Sequence, residues 1–260
     1  MQIRPLGSSG GIGDGGQTTA FLIDEDLLLD AGTGLTGLSL AQMGGIRDVL
    51  LTHAHLDHVA GLGLLADTLI GTGHPTIRVH GLRASLNALQ QHIFNGTIWP
   101  DFTRLSTPEQ PVLSFHPLDE DRGPAIGGRR IQQLPAHHGV PATGYWIDDG
   151  RGAVAFTGDT GRCPALWEAL NALPRLDALI IECAFADAYA SLGEHVGHYT
   201  PSALVQDAQH LRHKARIWLT HLKPAQREII LQELDAASSQ RPIQLIPEQP
   251  FQVPDPHGTG

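Results

Sequence analysis

The sequence has few cysteines and no long apolar run. Its two cysteines, Cys163 and Cys183, are too few for a disulfide framework, and we expect small buried thiols in a reducing compartment. No run of about 18 apolar residues occurs, and the first ten residues contain no apolar core typical of a signal peptide. We therefore expect a cytoplasmic protein that makes no contact with a membrane.

Positive charge is also scarce, since 17 Lys and Arg stand against 27 Asp and Glu and give a formal net charge of -10. Such a surface is poorly suited to holding a nucleic-acid backbone, so we expect no stable binding of nucleic acid. A small anionic substrate is still compatible, because bound divalent cations would dominate the local field. A chain of 260 residues is long enough to bury a substantial core.

Segments typical of strands and helices alternate along nearly the whole sequence. Residues 95–130 contain five prolines, and we predict an irregular segment there, either an excursion from the fold or a cover over an active site. No linker divides the chain, so we predict one domain over residues 1–260. Its predicted fold class is α/β, a four-layer αββα sandwich with two packed sheets between helices. The predicted strands are 18–23, 27–30, 49–52, 77–80, 131–135, 144–148, 153–157, 179–182 and 217–220, and the predicted helices are 59–70, 82–94, 164–173, 201–213 and 226–237.

The segment that follows the predicted strand 49–52 is the most informative part of the sequence. It places four metal-capable side chains within six residues, namely His53, His55, Asp57 and His58. Borderline metals such as zinc favour this mixture of imidazole and carboxylate. A histidine-rich surface turn is the alternative, but the complete His-x-His-x-Asp-His pattern at a strand end favours a metal site.

Further candidate ligands occur where other predicted strands end. Asp30 follows the strand 27–30, Asp159 follows 153–157, and His221 follows 217–220. Either His137 or His138 follows the strand 131–135, and the residues alone leave both open. Singly, the two aspartates are also compatible with turns and His221 with a capping residue. Their recurrence at strand ends favours one common site.

In this order the motifs resemble those of the metallo-β-lactamase superfamily, and the resemblance covers nearly the whole chain. It implies a hydrolase with two divalent metal ions, zinc with manganese or iron as alternatives. His138 is preferred to His137 because His138-Gly139-Val140-Pro141 matches the His-x-x-Pro arrangement of phosphodiesterase relatives. The resemblance places His53, His55 and His138 on the first metal, Asp57, His58 and His221 on the second, Asp159 between them, and Asp30 behind a ligand imidazole.

Three segments are similar to class II cyclic-nucleotide phosphodiesterases: His53-Ala-His-Leu-Asp-His-Val-Ala-Gly-Leu62, Ile181-Glu-Cys-Ala-Phe185 with Gly197-His-Tyr-Thr-Pro-Ser-Ala-Leu204, and Thr220-His-Leu-Lys-Pro224. This resemblance implies hydrolysis of cyclic AMP or cyclic GMP to 5′-monophosphates by a hydroxide that bridges the metals. Asp57 would align that hydroxide. His198 would contact the phosphate or protonate the departing 3′ oxygen. The resemblance also suggests a homodimer.

Other residues near these motifs have more than one interpretation. Glu182 is compatible with a contact to a metal ligand or a substrate ribose, and equally with a structural role. Lys223 is compatible with a contact to phosphate, although a solvated lysine is the preferred interpretation, and His195 is interpreted as an ordinary loop residue. The glycine-rich segment 7–11 is compatible with backbone N–H groups that approach a phosphate, or with a tight turn.

Three alternatives to a cyclic-nucleotide phosphodiesterase stay open. A tRNA 3′-endonuclease of the RNase Z type shares the metal set, and Arg122-Gly123-Pro124 resembles its glycine–proline exosite, but the acidic balance is unfavourable for tRNA. A lactonase, arylsulfatase or other esterase of the same fold is the second, because a fold does not determine the substrate. A non-catalytic metal-binding module is the third.

Overall fold

The computed structural model describes residues 1–105, 110–118, 125–237 and 242–255. The α-helices in these ranges are α1 (Leu40–Met43), α2 (Leu56–Leu69), α3 (Arg83–His92), α4 (Pro164–Ala172), α5 (Ala190–Val196), α6 (Pro201–Ala208) and α7 (Arg227–Ala236). The strands are β1 (Gln2–Gly7), β2 (Ala20–Ile23), β3 (Leu27–Leu29), β4 (Asp48–Leu51), β5 (Ile77–Gly81), β6 (Leu113–Pro117), β7 (Ala125–Ile126), β8 (Arg129–Pro135), β9 (Thr143–Asp148), β10 (Ala153–Phe156), β11 (Ala178–Glu182), β12 (Arg216–Thr220), β13 (Ile243–Leu245) and β14 (Phe251–Gln252).

Within the described ranges these strands form two seven-stranded sheets. The first sheet has the order β14-β1-β2-β3-β4-β5-β6, antiparallel from β14 to β3 and parallel from β3 to β6. The second has the order β13-β12-β11-β10-β9-β8-β7, parallel from β13 to β10 and antiparallel from β10 to β7. Each parallel half needs crossover connections, and helices supply most of them.

Alternate residues of the strands face two different hydrophobic layers. In β4, Leu50 belongs to the cluster between the two sheets, whereas Val49 and Leu51 belong to the cluster beneath α2 and α3. Phe156 in β10 also faces the inter-sheet cluster, and its ring lies edge-on to Phe21 with centroids 5.2 Å apart. A third cluster joins the second sheet to α4, α6 and α7. The layers are therefore helix, sheet, sheet, helix, which confirms the predicted α/β sandwich.

The prediction that residues 95–130 are irregular is wrong for part of this segment. It contains β6, β7 and the first residues of β8, although residues 106–109 and 119–124 lie outside the described part. β6 pairs in parallel with β5 in the register Ile77↔Leu113 to Gly81↔Pro117. Prolines on both sides concealed this strand, because an edge strand tolerates proline at its ends.

Several other predictions need correction. The predicted helix 201–213 ends at Ala208, where the chain enters a turn closed by His210 N–H donating to the Asp207 carbonyl oxygen at 2.9 Å. His195 lies in α5 rather than in a loop, and α1, β1, β13 and β14 were not predicted.

Cys183, like Cys163, is buried as an unpaired thiol, as predicted. Of the helices in the described ranges, none has the length and apolarity needed to cross a membrane.

Candidate metal centre

One edge of the sandwich gathers the side chains that follow strands β3, β4, β8, β10 and β12. The carboxyl ends of parallel strands open at the same edge of a sheet, where ligand sites of α/β folds commonly form. Asp159 is shared by two groups of possible ligands, and within each group one ligand atom per residue lies within 4.8 Å of the others. The first group is His53, His55, His138 and Asp159, and the second is Asp57, His58, Asp159 and His221.

The connection from β4 to α2 explains how one short segment contributes to both groups. His53 follows the strand and is fully buried, while His55 is the last residue before α2 begins. Asp57 and His58 lie in the first turn of the helix, where a carboxylate is stabilised by the helix dipole. The side chains on the extended residues and those on the helical turn therefore point to two adjacent positions.

Two positions of the site, the candidate ligand His221 and the Asp30 that orients His58, have backbone conformations that non-glycine residues rarely adopt. Asp30 after β3 has φ 54°, and His221 after β12 has φ 63°. Such left-handed residues turn the chain abruptly, and they concentrate at functional sites because surrounding contacts must stabilise them. His221 N–H donates to the Ser8 carbonyl oxygen at 2.7 Å, which is one of those contacts.

The nitrogens that face the two groups are buried and have no hydrogen-bond partner. This holds for Nε2 of His53, His58 and His221. The Asp159 carboxylate lies 3.7 Å from Nε2 of His53 and 3.2 Å from Nε2 of His58. Buried ring nitrogens without partners are unfavourable. Divalent cations between imidazole nitrogens and a carboxylate would satisfy them, so these residues fit the implied metal ions.

The charge states of most of the residues suit cation binding. The exception is His58: burial alone would lower its pKa, but the Asp159 and Asp30 carboxylates raise it well above the ordinary value, so a cation must displace a proton from this ring. Burial lowers the pKa of His53, His55 and His138 and lowers the pKa of His221 to about 3, so these rings are neutral and offer lone pairs. Burial alone would raise the pKa of Asp159, but the surrounding imidazoles hold it well below its ordinary value. The carboxylate shared by the two groups is therefore ionised.

A chain of hydrogen bonds behind His53 and His58 sets the orientation of both rings. His58 Nδ1–H donates to Asp30 Oδ2 at 2.7 Å, and Thr52 donates to the same carboxylate through its backbone N–H and its hydroxyl, both at 2.8 Å. With its proton given to Asp30, the Thr52 hydroxyl accepts from His53 Nδ1–H at 3.0 Å. In its neutral form each ring therefore carries its proton on Nδ1 and directs the Nε2 lone pair toward the cluster.

The neighbouring histidines 137 and 138 have different surroundings. His138 Nδ1–H donates to the Gly197 carbonyl oxygen at 3.0 Å, and its Nε2 lies 3.0 Å from His55 Nδ1. The side chain of His137 is exposed, and its backbone N–H donates to Thr160 Oγ1 at 2.9 Å. The structure thus brings His138, and not His137, into the group.

His198 lies directly beside the metal-capable groups. Its ring stacks on His221 with centroids 5.6 Å apart and an interplanar angle of 15°, and it meets His138 edge-on at 4.9 Å. Its Nδ1–H donates to Glu182 Oε1 at 2.6 Å. Burial disfavours the charged imidazole, but the Glu182 carboxylate outweighs it and raises the pKa of His198. The free Nε2 is therefore protonated over a wider pH range than in an ordinary histidine.

Glu182 has the structural interpretation that the sequence left open. It is fully buried at the end of β11, and it also accepts the backbone N–H of Thr160 at 2.9 Å. Thr160 follows Asp159, so Glu182 fixes both a metal-capable segment and the His198 ring. Lys223 is partly buried rather than solvated, because its Nζ donates to the Gly10 carbonyl oxygen at 2.6 Å.

Several residues of the site gave little signal in the sequence. Thr52 adjoins the metal motif and was not singled out as an orienting group. Thr19 Oγ1 lies 3.2 Å from His221 Nδ1 although 202 positions separate them, and the Gly197 contact uses only a backbone oxygen. Thr52 stands directly before the metal motif, which is a clue in the sequence. The contacts of Thr19 and Gly197 depend on the fold and leave no such clue.

The sequence is similar to those of known proteins. Residues 26–222 match the family model described as the Beta-lactamase superfamily domain. A 3′,5′-cyclic-nucleotide phosphodiesterase of Aliivibrio fischeri is 29% identical over 78% of this chain and 72% of its own length. A Ribonuclease Z of Synechococcus is 29% identical over 57% of this chain and 48% of its own length.

Solved structures show the same fold. The metallo-β-lactamase fold protein YhfI of Bacillus subtilis has a TM-score of 0.77 and 20% identity, over 96% of this chain and 99% of its own. Unliganded yeast PDE1 also has a TM-score of 0.77 and 20% identity, over 96% of this chain and 98% of its own. Both structural similarities cover nearly the whole chain.

Proposed function

The chain belongs to the β-lactamase superfamily, and we propose that it is a metal-dependent phosphodiesterase that hydrolyses 3′,5′-cyclic nucleotides to 5′-monophosphates. The observation that carries the proposal is the pair of ligand groups sharing Asp159, with a protonatable imidazole beside them. The similarity to the Aliivibrio fischeri phosphodiesterase supports the phosphodiester as the scissile group.

The proposed ligands are those that the two groups contain. His53, His55 and His138 would hold one ion, Asp57, His58 and His221 would hold the other, and Asp159 belongs to both groups. The mixture of imidazole and carboxylate favours zinc, with manganese or iron as alternatives. Bound divalent ions supply Lewis-acid chemistry, activating water for attack on phosphorus and stabilising the leaving oxygen.

Two side chains of the chain itself are proposed to act on protons. The Asp57 carboxylate is 28% exposed, lies 3.7 Å from His221 Nε2, and is placed to hold the attacking water in line. His198, with Nδ1 committed to Glu182, is placed to donate a proton from Nε2 to the departing 3′ oxygen. The raised pKa of His198 favours this acid role near neutral pH.

A tRNA 3′-endonuclease is the second candidate, because Ribonuclease Z proteins are also among the relatives. The formal net charge of -10 makes the electrostatic grip on a tRNA backbone weak. The segment Arg122-Gly123-Pro124, which resembles the exosite of that class, lies outside the described residues. We therefore favour a small cyclic nucleotide as substrate. A homodimer in the cytoplasm is part of the proposal.

The proposal is tested by measuring hydrolysis of cyclic AMP and cyclic GMP by protein whose metal content has been verified. Bis(p-nitrophenyl) phosphate serves as a linear control substrate. We expect turnover of a cyclic nucleotide to the 5′-monophosphate, abolished by a chelator and restored by zinc or manganese. Turnover of the linear ester or of precursor tRNA, with neither cyclic nucleotide hydrolysed, would contradict the proposed substrate.

A further inference from the structure

An exposed isoleucine lies on a glycine-rich segment whose first residue, Gly10, packs against His221. Ile12 is 77% exposed, and it belongs to residues 10–16, of which five are glycine. Gly10 N–H donates to the Leu222 carbonyl oxygen at 3.0 Å, and Lys223 Nζ donates to the Gly10 carbonyl oxygen at 2.6 Å. The segment is therefore fixed on the residues that follow His221.

The packing at Gly10 brings this segment as close to His221 as a backbone allows. A Cβ on Gly10 would lie 2.5 Å from the His221 carbonyl oxygen and 3.0 Å from its ring carbon Cδ2. Only glycine fits at that approach. Ile12 is two residues further on, so its Cα lies within about 7 Å of the Gly10 Cα. The glycine contact thus holds an apolar side chain near the second group of ligands.

An aromatic side chain borders the same region from the second sheet. Phe185 is partly exposed, and its ring meets His198 edge-on with centroids 5.6 Å apart. His198 in turn stacks on His221, so Phe185 contacts this pair of imidazoles directly, while Ile12 lies two residues from the glycine that packs against His221. Phe185 and Ile12 are called the apolar rim below.

The apolar rim has no role toward a phosphate or a metal ion, because those groups require charged or polar partners. Exposed apolar side chains beside a polar centre favour contact with an uncharged part of the ligand. In a cyclic nucleotide that part is the base, whose flat faces stack on aromatic rings whatever the base identity. Leu56, 66% exposed between His55 and Asp57, adds apolar surface next to the ligands.

We propose that Ile12 and Phe185 bind the base of the nucleotide while the metal-capable groups engage its phosphate, and so select nucleotides over phosphates that lack a base. The inference rests on the proposed function for its ligand class, and it assigns base recognition to two residues outside the ligand set. Because both contacts are apolar and lack directed hydrogen bonds, adenine and guanine are accepted with similar affinity.

Equilibrium binding tests the proposal without requiring turnover. The probes are 5′-AMP and ribose 5-phosphate, which share the phosphate and ribose but differ in the base, titrated calorimetrically into zinc-loaded protein. We expect wild type to bind 5′-AMP at least about tenfold more tightly than ribose 5-phosphate. Phe185→Leu is expected to weaken 5′-AMP about tenfold and Ile12→Ser about fivefold, with ribose 5-phosphate unchanged.

Matched variants elsewhere provide the controls. Ile98→Ser removes an isoleucine that is 63% exposed beside Trp99, and Phe251→Leu removes a partly exposed phenylalanine in β14. Neither is expected to change the affinity for either probe. The zinc content of every variant is measured, so that a loss of metal is distinguished from a loss of base binding.

Two results overturn the proposal. One is equal affinity of wild type for the two probes, and the other is a similar loss for both probes in the Ile12 and Phe185 variants, which indicates a general structural role. A base-selective loss in one variant alone overturns the assignment of the other residue. Hydrolysis of cyclic AMP is assayed on the same samples. Tighter binding of 5′-AMP than of ribose 5-phosphate without hydrolysis of cyclic AMP rejects the proposed function but retains base binding by the apolar rim. Hydrolysis of cyclic AMP with equal affinities for the two probes rejects only base binding by the rim.

Discussion

Replacing Asp30 with asparagine isolates the role of the buried carboxylate behind His58. Asp30 is completely buried, and its two oxygens accept hydrogen bonds from His58 Nδ1–H, from the Thr52 backbone N–H and from the Thr52 hydroxyl. Asparagine has the same shape but exchanges one acceptor oxygen for an NH2 donor. The substitution therefore changes hydrogen bonding while leaving the packing almost unaltered.

Neither orientation of the new amide satisfies all the donors. With NH2 at the Oδ2 position it faces His58 Nδ1–H, and the ring must move its proton to Nε2, which removes the lone pair directed at the cluster. With NH2 at the Oδ1 position it faces the Thr52 backbone N–H. A buried donor left without an acceptor costs about 1–3 kcal/mol, and loss of an orienting partner lowers metal affinity about 10- to 100-fold.

Two measurements separate these effects. Zinc affinity is measured by competition with a chromophoric chelator, and the free energy of unfolding of metal-free protein is measured in urea. We expect Asp30→Asn to bind zinc about 10- to 100-fold more weakly. Asp101→Asn is the control, because Asp101 also accepts three hydrogen bonds, from Gln90 and from the backbone and hydroxyl of Thr103, but lies outside both ligand groups.

The reasoning has a clear refutation. If Asp30→Asn binds zinc as tightly as wild type, Asp30 does not set the tautomer of His58. If Asp101→Asn loses zinc affinity to the same extent, the loss reflects general destabilisation rather than the orientation of one imidazole.

Three further predictions concern the site and the fold. His198→Ala is expected to keep the wild-type metal content and to lower kcat by about 10²–10⁴-fold; full turnover would exclude His198 from catalysis. His138→Ala is expected to lose metal in elemental analysis while His137→Ala keeps it, and the reverse result would exchange the two assignments. Asp48→Asn is expected to lower the free energy of unfolding by about 1–2 kcal/mol near neutral pH. The reason is that burial of the Asp48 carboxyl is outweighed by hydrogen bonds from neighbouring side chains, which lower its pKa to about 2. A folded-state pKa below the unfolded value gives stability that is present above about pH 4 and is lost as the pH falls toward 2, so urea titrations should show the difference shrinking there; a difference independent of pH would contradict this origin.

The sequence carried most of the information about the ligand groups because those residues follow strands directly. Once β4 and β12 are predicted, His53 and His221 must lie at strand ends. The two strands belong to different sheets, so the meeting of these ends depends on how the sheets pack. The choice between His137 and His138 was different. The residues alone left it open, and it depends on which ring reaches the Gly197 carbonyl oxygen, a contact between segments 59 positions apart.

The hydrogen bonds that orient the side chains of the site were harder to predict from the sequence. The sequence marks Glu182 as a candidate residue, but its hydrogen bond to His198 depends on the end of β11 lying against the segment before α6. Lys223 was interpreted as solvated because an isolated lysine usually is, and its actual partner is a backbone oxygen 213 positions away. Such pairings follow from tertiary packing and leave no local pattern.

Most of the strands that were not predicted lie at sheet edges. β6 and β14 are terminal strands of the first sheet, and β13 is a terminal strand of the second. An edge strand has one neighbour and one solvent-exposed side, so its residues need neither strict alternation nor a continuous apolar run. β1 has a neighbour on each side, but a proline at position 5 and a register shift between Pro5 and Gly7 weaken its pattern.

Metal titration of the hydrolytic activity tests the central claim most directly. Metal-free protein is titrated with zinc while bound zinc and the rate of cyclic AMP hydrolysis are measured on the same samples. The two ligand groups predict that hydrolysis depends on bound zinc and reaches its maximum at about two ions per chain. Undiminished hydrolysis by metal-free protein, or no hydrolysis of cyclic AMP when both sites are filled, would contradict the claim.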